Sequence, residues 1–323
     1  MTSGEQFCSP DKTNFCGNTA VFQENLAQHG GKSAADGRVD DFQTRLVAPV
    51  NKILPTSLVD GPGNRVAIFL QGCNIRCAYC HNPETQRMCI HCGICVPGCP
   101  TGALEKRDGK VVWDPSKCID CDQCIKVCPH YASPKIREMT PEQVHQKVME
   151  SVPFIRGITV SGGECTLHPQ FLLELFRLVK AEGLTCLIDS NGMVDLMDYP
   201  ELVEVSDGVM LDVKSWDNEV YTALTGFGNL TVKKNLAYLA SMDKLAEVRV
   251  VCLPGEVDAE AAIAGIAETI GPELIRTVPL RIITFRPYGV RGRLEQTPPP
   301  SQDYMQGLVQ HARSLGFERV LLV

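Results

Sequence analysis

The sequence has no long apolar run. No stretch approaches the roughly 20 residues that a helix needs to cross a bilayer. Nothing at its start joins a basic segment to an apolar one, so no secretory signal is expected. Basic residues are not in excess either. Lys and Arg number 31 against 38 Asp and Glu, a net charge of −7. That balance excludes the basic face that nucleic acid or an anionic membrane requires. Internal repeats at solenoid periods are missing. These absences lead to the expectation of a cytoplasmic protein with neither nucleic acid nor a membrane as partner. The 323 residues suffice for one large α/β domain plus a smaller unit.

Cysteine is abundant, with 16 residues. A reducing compartment disfavours disulfides, so such a set points to metal. Most of the cysteines fall in three tight groups. Residues 1–49 stand apart: polar, without sustained periodicity, and expected to be a disordered extension with Cys8 and Cys16 as free thiols. The run Gly31-Lys32-Ser33 lacks the earlier glycine of a phosphate loop, because Leu26 occupies that place.

From about residue 50 the pattern changes. Val66–Leu70 reads as a buried strand that leads into the first cysteine group. Residues 88–135 are rich in Cys, Pro and Gly and read as an insertion. From residue 136 to 323, strands alternate with helices. Gly157–Ser161, Leu184–Asp189, Gly208–Val213, Glu247–Leu253 and Leu280–Phe285 read as strands. Helices follow Thr140, His168, Val194, Glu219, Asp258 and Ser301, and Arg319–Val323 closes one edge. Such alternation predicts parallel strands joined by helical crossovers.

The first group, Cys73, Cys77 and Cys80, spells C-x-x-x-C-x-x-C on the loop after the first strand. Three thiolates hold three irons of a [4Fe–4S] cube and leave the fourth open to an exogenous ligand. A catalytic metal site needs such an open position. Zinc with His81 as fourth ligand stays open on this motif alone. The run Cys77-Ala78-Tyr79-Cys80-His81 also spells the c-type haem attachment motif, although that use requires export and leaves Cys73 without a purpose.

The second and third groups repeat one another. Cys89, Cys92, Cys95 and Cys99 precede Pro100, and Cys118, Cys121, Cys124 and Cys128 precede Pro129. This is the two-cluster ferredoxin pattern, in which the fourth cysteine of each run ligates the other cluster. Cys89, Cys92, Cys95 and Cys128 are therefore expected to hold one [4Fe–4S] cluster. Cys118, Cys121, Cys124 and Cys99 are expected to hold the second. A pair of zinc knuckles is the alternative. Both sites are closed, which suits electron transfer or bracing rather than substrate binding.

Val59-Asp60-Gly61-Pro62-Gly63-Asn64-Arg65, then Phe69–Cys73, then Cys77–Pro83 resembles the opening signature of glycyl-radical enzyme activating enzymes. These are radical S-adenosylmethionine (SAM) proteins related to the activator of pyruvate formate-lyase. Leu184–Met193 and Asp207–Trp216 are most similar to the YjjW-type activases. The resemblance implies an α/β fold, a partial (β/α)6 radical SAM barrel, here with an inserted two-cluster ferredoxin-like domain. It implies a radical SAM oxidoreductase with three [4Fe–4S] clusters, SAM, a glycyl-radical partner and an electron donor such as flavodoxin or ferredoxin.

Residue by residue, the resemblance places Gly162, Gly163 and Glu164 at the methionine amino group of SAM. The glycines permit close backbone approach, and the carboxylate accepts from an ammonium. Tyr79 packs near the adenine. Asp189, Asp212, Lys214 and Arg249 are SAM neighbours, and Asp189 and Asp212 also resemble a monovalent-cation site with chain atoms of Ser190 and Met210. Arg286 stands where relatives carry a histidine; as a fixed cation it suits the SAM carboxylate. Cys165, Cys186 and Cys252 read as packing thiols, and His168 as a helix-start residue. A radical SAM enzyme of small molecules and a non-catalytic electron carrier are the rival readings.

Overall fold

The computed structural model describes residues 46–323. The reading of the extension, with Cys8 and Cys16, lies outside the described residues up to 45. Its far boundary is corrected, because strand β1 (Ala48–Ser57) already begins before residue 50. Two prolines hid this strand. Pro49 pairs with Glu138 and accepts from the Gln71 N–H at 2.8 Å, and Pro55 falls where the register slips. Proline is tolerated at such places because neither asks it for an N–H.

The chain continues with β2 (Arg65–Leu70), a hairpin of β3 (Leu104–Arg107) and β4 (Lys110–Trp113), and the short helix α1 (Gln123–Lys126). Next come β5 (Arg137–Met139), α2 (Pro141–Met149), β6 (Gly157–Gly162), α3 (Pro169–Ala181) and β7 (Thr185–Ser190). Then follow α4 (Pro200–Val205), β8 (Gly208–Asp212), α5 (Asn218–Thr225), α6 (Leu230–Ser241) and β9 (Leu245–Cys252). The described chain closes with α7 (Ala259–Thr277), β10 (Leu280–Thr284), α8 (Gln302–Ser314) and β11 (Val320–Leu322).

Nine strands form one sheet in the order β11-β10-β9-β8-β7-β6-β2-β1-β5. The strands from β2 through β6 to β11 run parallel, and β1 is antiparallel to both of its neighbours. The inner parallel strands are largely buried, whereas β11 at the edge is mostly exposed, and α3 covers β6 and β7 with Phe171, Leu172, Leu175, Phe176 and Val179. Thr140 and Gln143 form a capping box that starts α2. His168 sits just before Pro169 at the head of α3.

The sheet curls. In a flat sheet β2 and β10, five places apart, would lie about 24 Å from each other. Here the loop after β2 and Ile283 of β10 line one cavity, and the His81 ring meets the Arg286 carbonyl at 2.9 Å. Arg65 clamps the opposite end. Its guanidinium donates to Thr159 Oγ1, Thr185 Oγ1 and the carbonyls of Ile158, Thr185 and Pro62.

The cysteine-rich segment between β2 and α2 has its own small core of Cys95, Leu104 and Val111. Its hairpin turns on Asp108-Gly109, both at positive φ; this is a strong hairpin signal. Arg291, on the loop after β10, holds this segment by donating to the carbonyls of Ile125 and Cys128, and its guanidinium lies 5.6 Å from the Tyr131 ring centre.

Candidate active site

The carboxyl ends of the parallel strands surround a cavity of about 270 Å³, near the lower end of small-ligand sites. The loop after β2 supplies Cys73, Cys77, Tyr79 and Cys80. Strands β6 to β9 bring Gly162, Asp189, Asp212 and Arg249, and the turns after β6, β7 and β8 bring Gly163, Asn191 and Lys214.

The loop is held from two sides. The N–H groups of Arg76 and Ala78 donate to the Thr225 and Leu224 carbonyls at 2.9 and 2.8 Å. These are end carbonyls of α5, which lack helical partners of their own. On the other side, Gly163 N–H donates to Leu70 O and Glu164 N–H to Gly72 O, at 2.9 and 2.8 Å. A Cβ on Gly162 would sit 2.2 Å from Leu70 O, and one on Gly163 would sit 2.1 Å from Gly72 O. Only glycine fits this seam.

The three thiols fit an iron–sulfur cluster. Cys73 and Cys77 are pushed up to about 12 by burial, and Cys80 is raised for the same reason. Metal must therefore displace their protons. His81 Nε2 donates to a carbonyl, which leaves that nitrogen no lone pair for zinc. Among the described residues no three His, Cys, Asp or Glu side chains are grouped around a single-ion point. The thiols instead line one cavity with Tyr79, whose hydroxyl is buried without a partner.

Charges alternate on the wall. Lys214 Nζ meets Asp212 at 2.8 Å and lies 5.8 Å from the Tyr79 ring centre. Burial pulls the Lys214 pKa down, but Asp212, Cys77 and Tyr79 reverse it, so the group stays an ammonium. Arg249 donates to Asp189 at 2.9 Å and to the buried Glu247 at 2.6 Å. Burial again opposes its charge, and the carboxylates of Asp189, Asp212 and Glu247 outweigh it.

Two expected contacts are not brought to the cavity. Glu164 is 1% exposed, and its carboxylate accepts from Thr166 N and Oγ1, Ser190 Oγ and Asn191 N. It braces the β7 turn from behind. Arg286 is exposed and offers only its carbonyl, to His81. The sequence reading passed over Gln86, whose side chain hydrogen-bonds Cys80, and Asn191, which lies within the Asp189–Gly192 turn. Cys165, Cys186 and Cys252 are fully buried.

The Radical SAM superfamily model matches residues 67–264. A Haemophilus influenzae protein assigned by name to the glycyl-radical enzyme activating enzymes is 30% identical over 87% of this chain and 98% of its own. The chain belongs to the glycyl-radical enzyme activating enzymes of the radical SAM superfamily. The isethionate sulfite-lyase activating enzyme of Desulfovibrio desulfuricans is 31% identical over 72% of this activating enzyme and 80% of its own length. The crystal structure of QueE from Escherichia coli shares the fold, with a TM-score of 0.52 at 16% identity, covering 87% of this chain and 96% of that one. Membership in the superfamily brings a [4Fe–4S] cluster and SAM to this activating enzyme. No helix among the described residues is long and apolar enough to cross a membrane.

Proposed function

We propose that this activating enzyme installs a radical on a glycine of a partner enzyme. When bound, the cluster and SAM supply methionine and a 5′-deoxyadenosyl radical for one electron, and this radical takes hydrogen from a glycine Cα in the partner's C-terminal loop. The observation that carries the reading is the three-cysteine loop facing the charged strand ends across one cavity. Cys73, Cys77 and Cys80 hold three irons and leave one open. The backbone at Gly162 and Gly163 receives the methionine amino group. Lys214 and Arg249 suit its carboxylate, and the Tyr79 ring packs on the adenine. Anaerobic incubation with SAM, a reductant and candidate partners is expected to give a glycine-centred doublet by electron paramagnetic resonance. Turnover of a small molecule with no doublet from any partner would overturn the reading.

The reading extends to a two-cluster ferredoxin-like domain at residues 88–135, fed by a donor such as flavodoxin or ferredoxin. Supporting it, Cys89, Cys92, Cys95 and Cys128 line one cavity, and Cys99, Cys118, Cys121 and Cys124 another. Gln86 lines the SAM cavity, and only Arg87 and Met88 separate it from Cys89, a span of at most about 11 Å. Reconstituted protein is expected to hold about twelve irons per chain. Cys99→Ser and Cys118→Ser are each expected to remove the same cluster, while Cys89→Ser and Cys128→Ser remove the other. Independent loss patterns within either pair, read by iron analysis and Mössbauer spectra, would refute the crossed ligation.

A monovalent cation beside Asp189 and Asp212 completes the reading. Both carboxylates line the cavity, and each has one side-chain cation bound to a single oxygen. SAM affinity is expected to rise when sodium or potassium replaces a bulky organic cation in the buffer; equal affinity in all three salts would dismiss the site.

A further inference from the structure

Asn191 follows β7 and is 6% exposed. Four hydrogen bonds fix it. Its N–H donates to Glu164 Oε2 at 2.7 Å, and its Oδ1 accepts from the Met193 N–H at 2.9 Å. That second bond settles the amide orientation, because a flipped amide would set donor against donor. Nδ2 therefore faces the cysteine loop. It donates to Asn74 Oδ1 at 2.9 Å and approaches Cys73 Sγ at 3.6 Å.

Hydrogen bonds to cluster sulfurs are one of the levers that set an iron–sulfur potential. A donor stabilises the reduced cluster more, because reduction adds negative charge to the sulfurs. We propose that Asn191 is a positioning residue that holds an N–H on the Cys73 sulfur and raises the reduction potential of the SAM-binding cluster, with Glu164 fixing its place. This gives the buried carboxylate of the Gly-Gly-Glu turn a task that needs no contact with SAM. Glu164 grips Ser190 Oγ and Asn191 N together, so the turn after β7 presents one amide to one sulfur.

The inference rests on the reading that Cys73 ligates the cluster. Its test uses the full chain, anaerobically reconstituted, in a redox titration followed by electron paramagnetic resonance. The signal that responds to added SAM identifies the cluster. Asn191→Asp keeps the Oδ1 acceptor for Met193 and replaces the donor by oxygen; Asn191→Ser shortens the side chain. Both are expected to shift the reduced-to-oxidised ratio at a fixed potential about tenfold toward oxidised, a fall of about 59 mV for one electron. Asn74→Ala, which leaves the Asn191 amide in place, is expected to shift it less than either.

Unchanged potentials in both Asn191 variants would overturn the proposal. So would loss of the cluster from both, since Asn191 would then be needed for assembly rather than tuning. A wild-type protein that forms no SAM-responsive cluster fails the functional reading itself and gives no wild-type potential. The two failures are thus distinct.

Discussion

Cys77→Ala protein is expected to fold and yet to lose SAM cleavage by more than about 100-fold, measured as 5′-deoxyadenosine formed with excess reductant. The size follows from ligand number. Mutating groups that merely orient a metal ligand costs 10–100-fold, and here a ligand itself is removed from a set that has three. Folding should survive because the substitution deletes one partly buried sulfur from a loop whose N–H groups at Arg76 and Ala78 stay bonded to the end of α5. A Cys77→Ala enzyme that cleaves SAM within a few-fold of wild type would remove the open-cluster mechanism. The same experiment on Cys186→Ala, a packing thiol at 0% exposure, is expected to leave product yield nearly unchanged.

The second large effect concerns stability. Arg65→Leu is expected to cost about 4 kcal/mol, because each buried polar group left without a partner costs about 1–3 kcal/mol. The carbonyls of Ile158 and Thr185 both lose a guanidinium donor at once. For a chain of this size that corresponds to a melting temperature lower by about 8 °C or more, at about 2 °C per kcal/mol. Arg65→Lys should restore little, since an ammonium cannot reproduce a planar fork that reaches both β6 and β7. A calorimetric shift below about 2 °C in Arg65→Leu would show that the clamp adds nothing. The result would also separate two uses of the opening signature, because Arg65 lies at the amino ends of the strands and does not line the cavity.

Local spacing carried most of what the sequence disclosed. The three-cysteine loop and the strand–helix alternation obey rules that act within a few residues. The strand readings lie within two residues or so of the observed ends. The proposed exchange of Cys99 and Cys128 between the two runs came from the repeat, and each of these residues lines a cavity with cysteines of the other run. What stayed hidden depended on distant partners. β1 was masked by prolines that only its neighbours make harmless. The hairpin in the cysteine-rich segment carried its Asp108-Gly109 signal but was passed over beside eight cysteines. α6 merged with the helix before it, although Gly226 and Gly228 separate them. Glu164 could not be assigned from its motif, since its four donors come from two different turns. Arg286 illustrates the reverse: a residue matched by resemblance alone, which is exposed and does not line the cavity.

Arg291 has a bearing on how such proteins are cut and joined. A cation rooted beyond the last-but-one strand grips the carbonyls of Ile125 and Cys128, so the cysteine-rich stretch is not a detachable cassette. Grafting it onto a shorter homologue would require the gripping arginine to travel with it, and the two pieces of sequence should be inherited as a pair although some 160 residues lie between them.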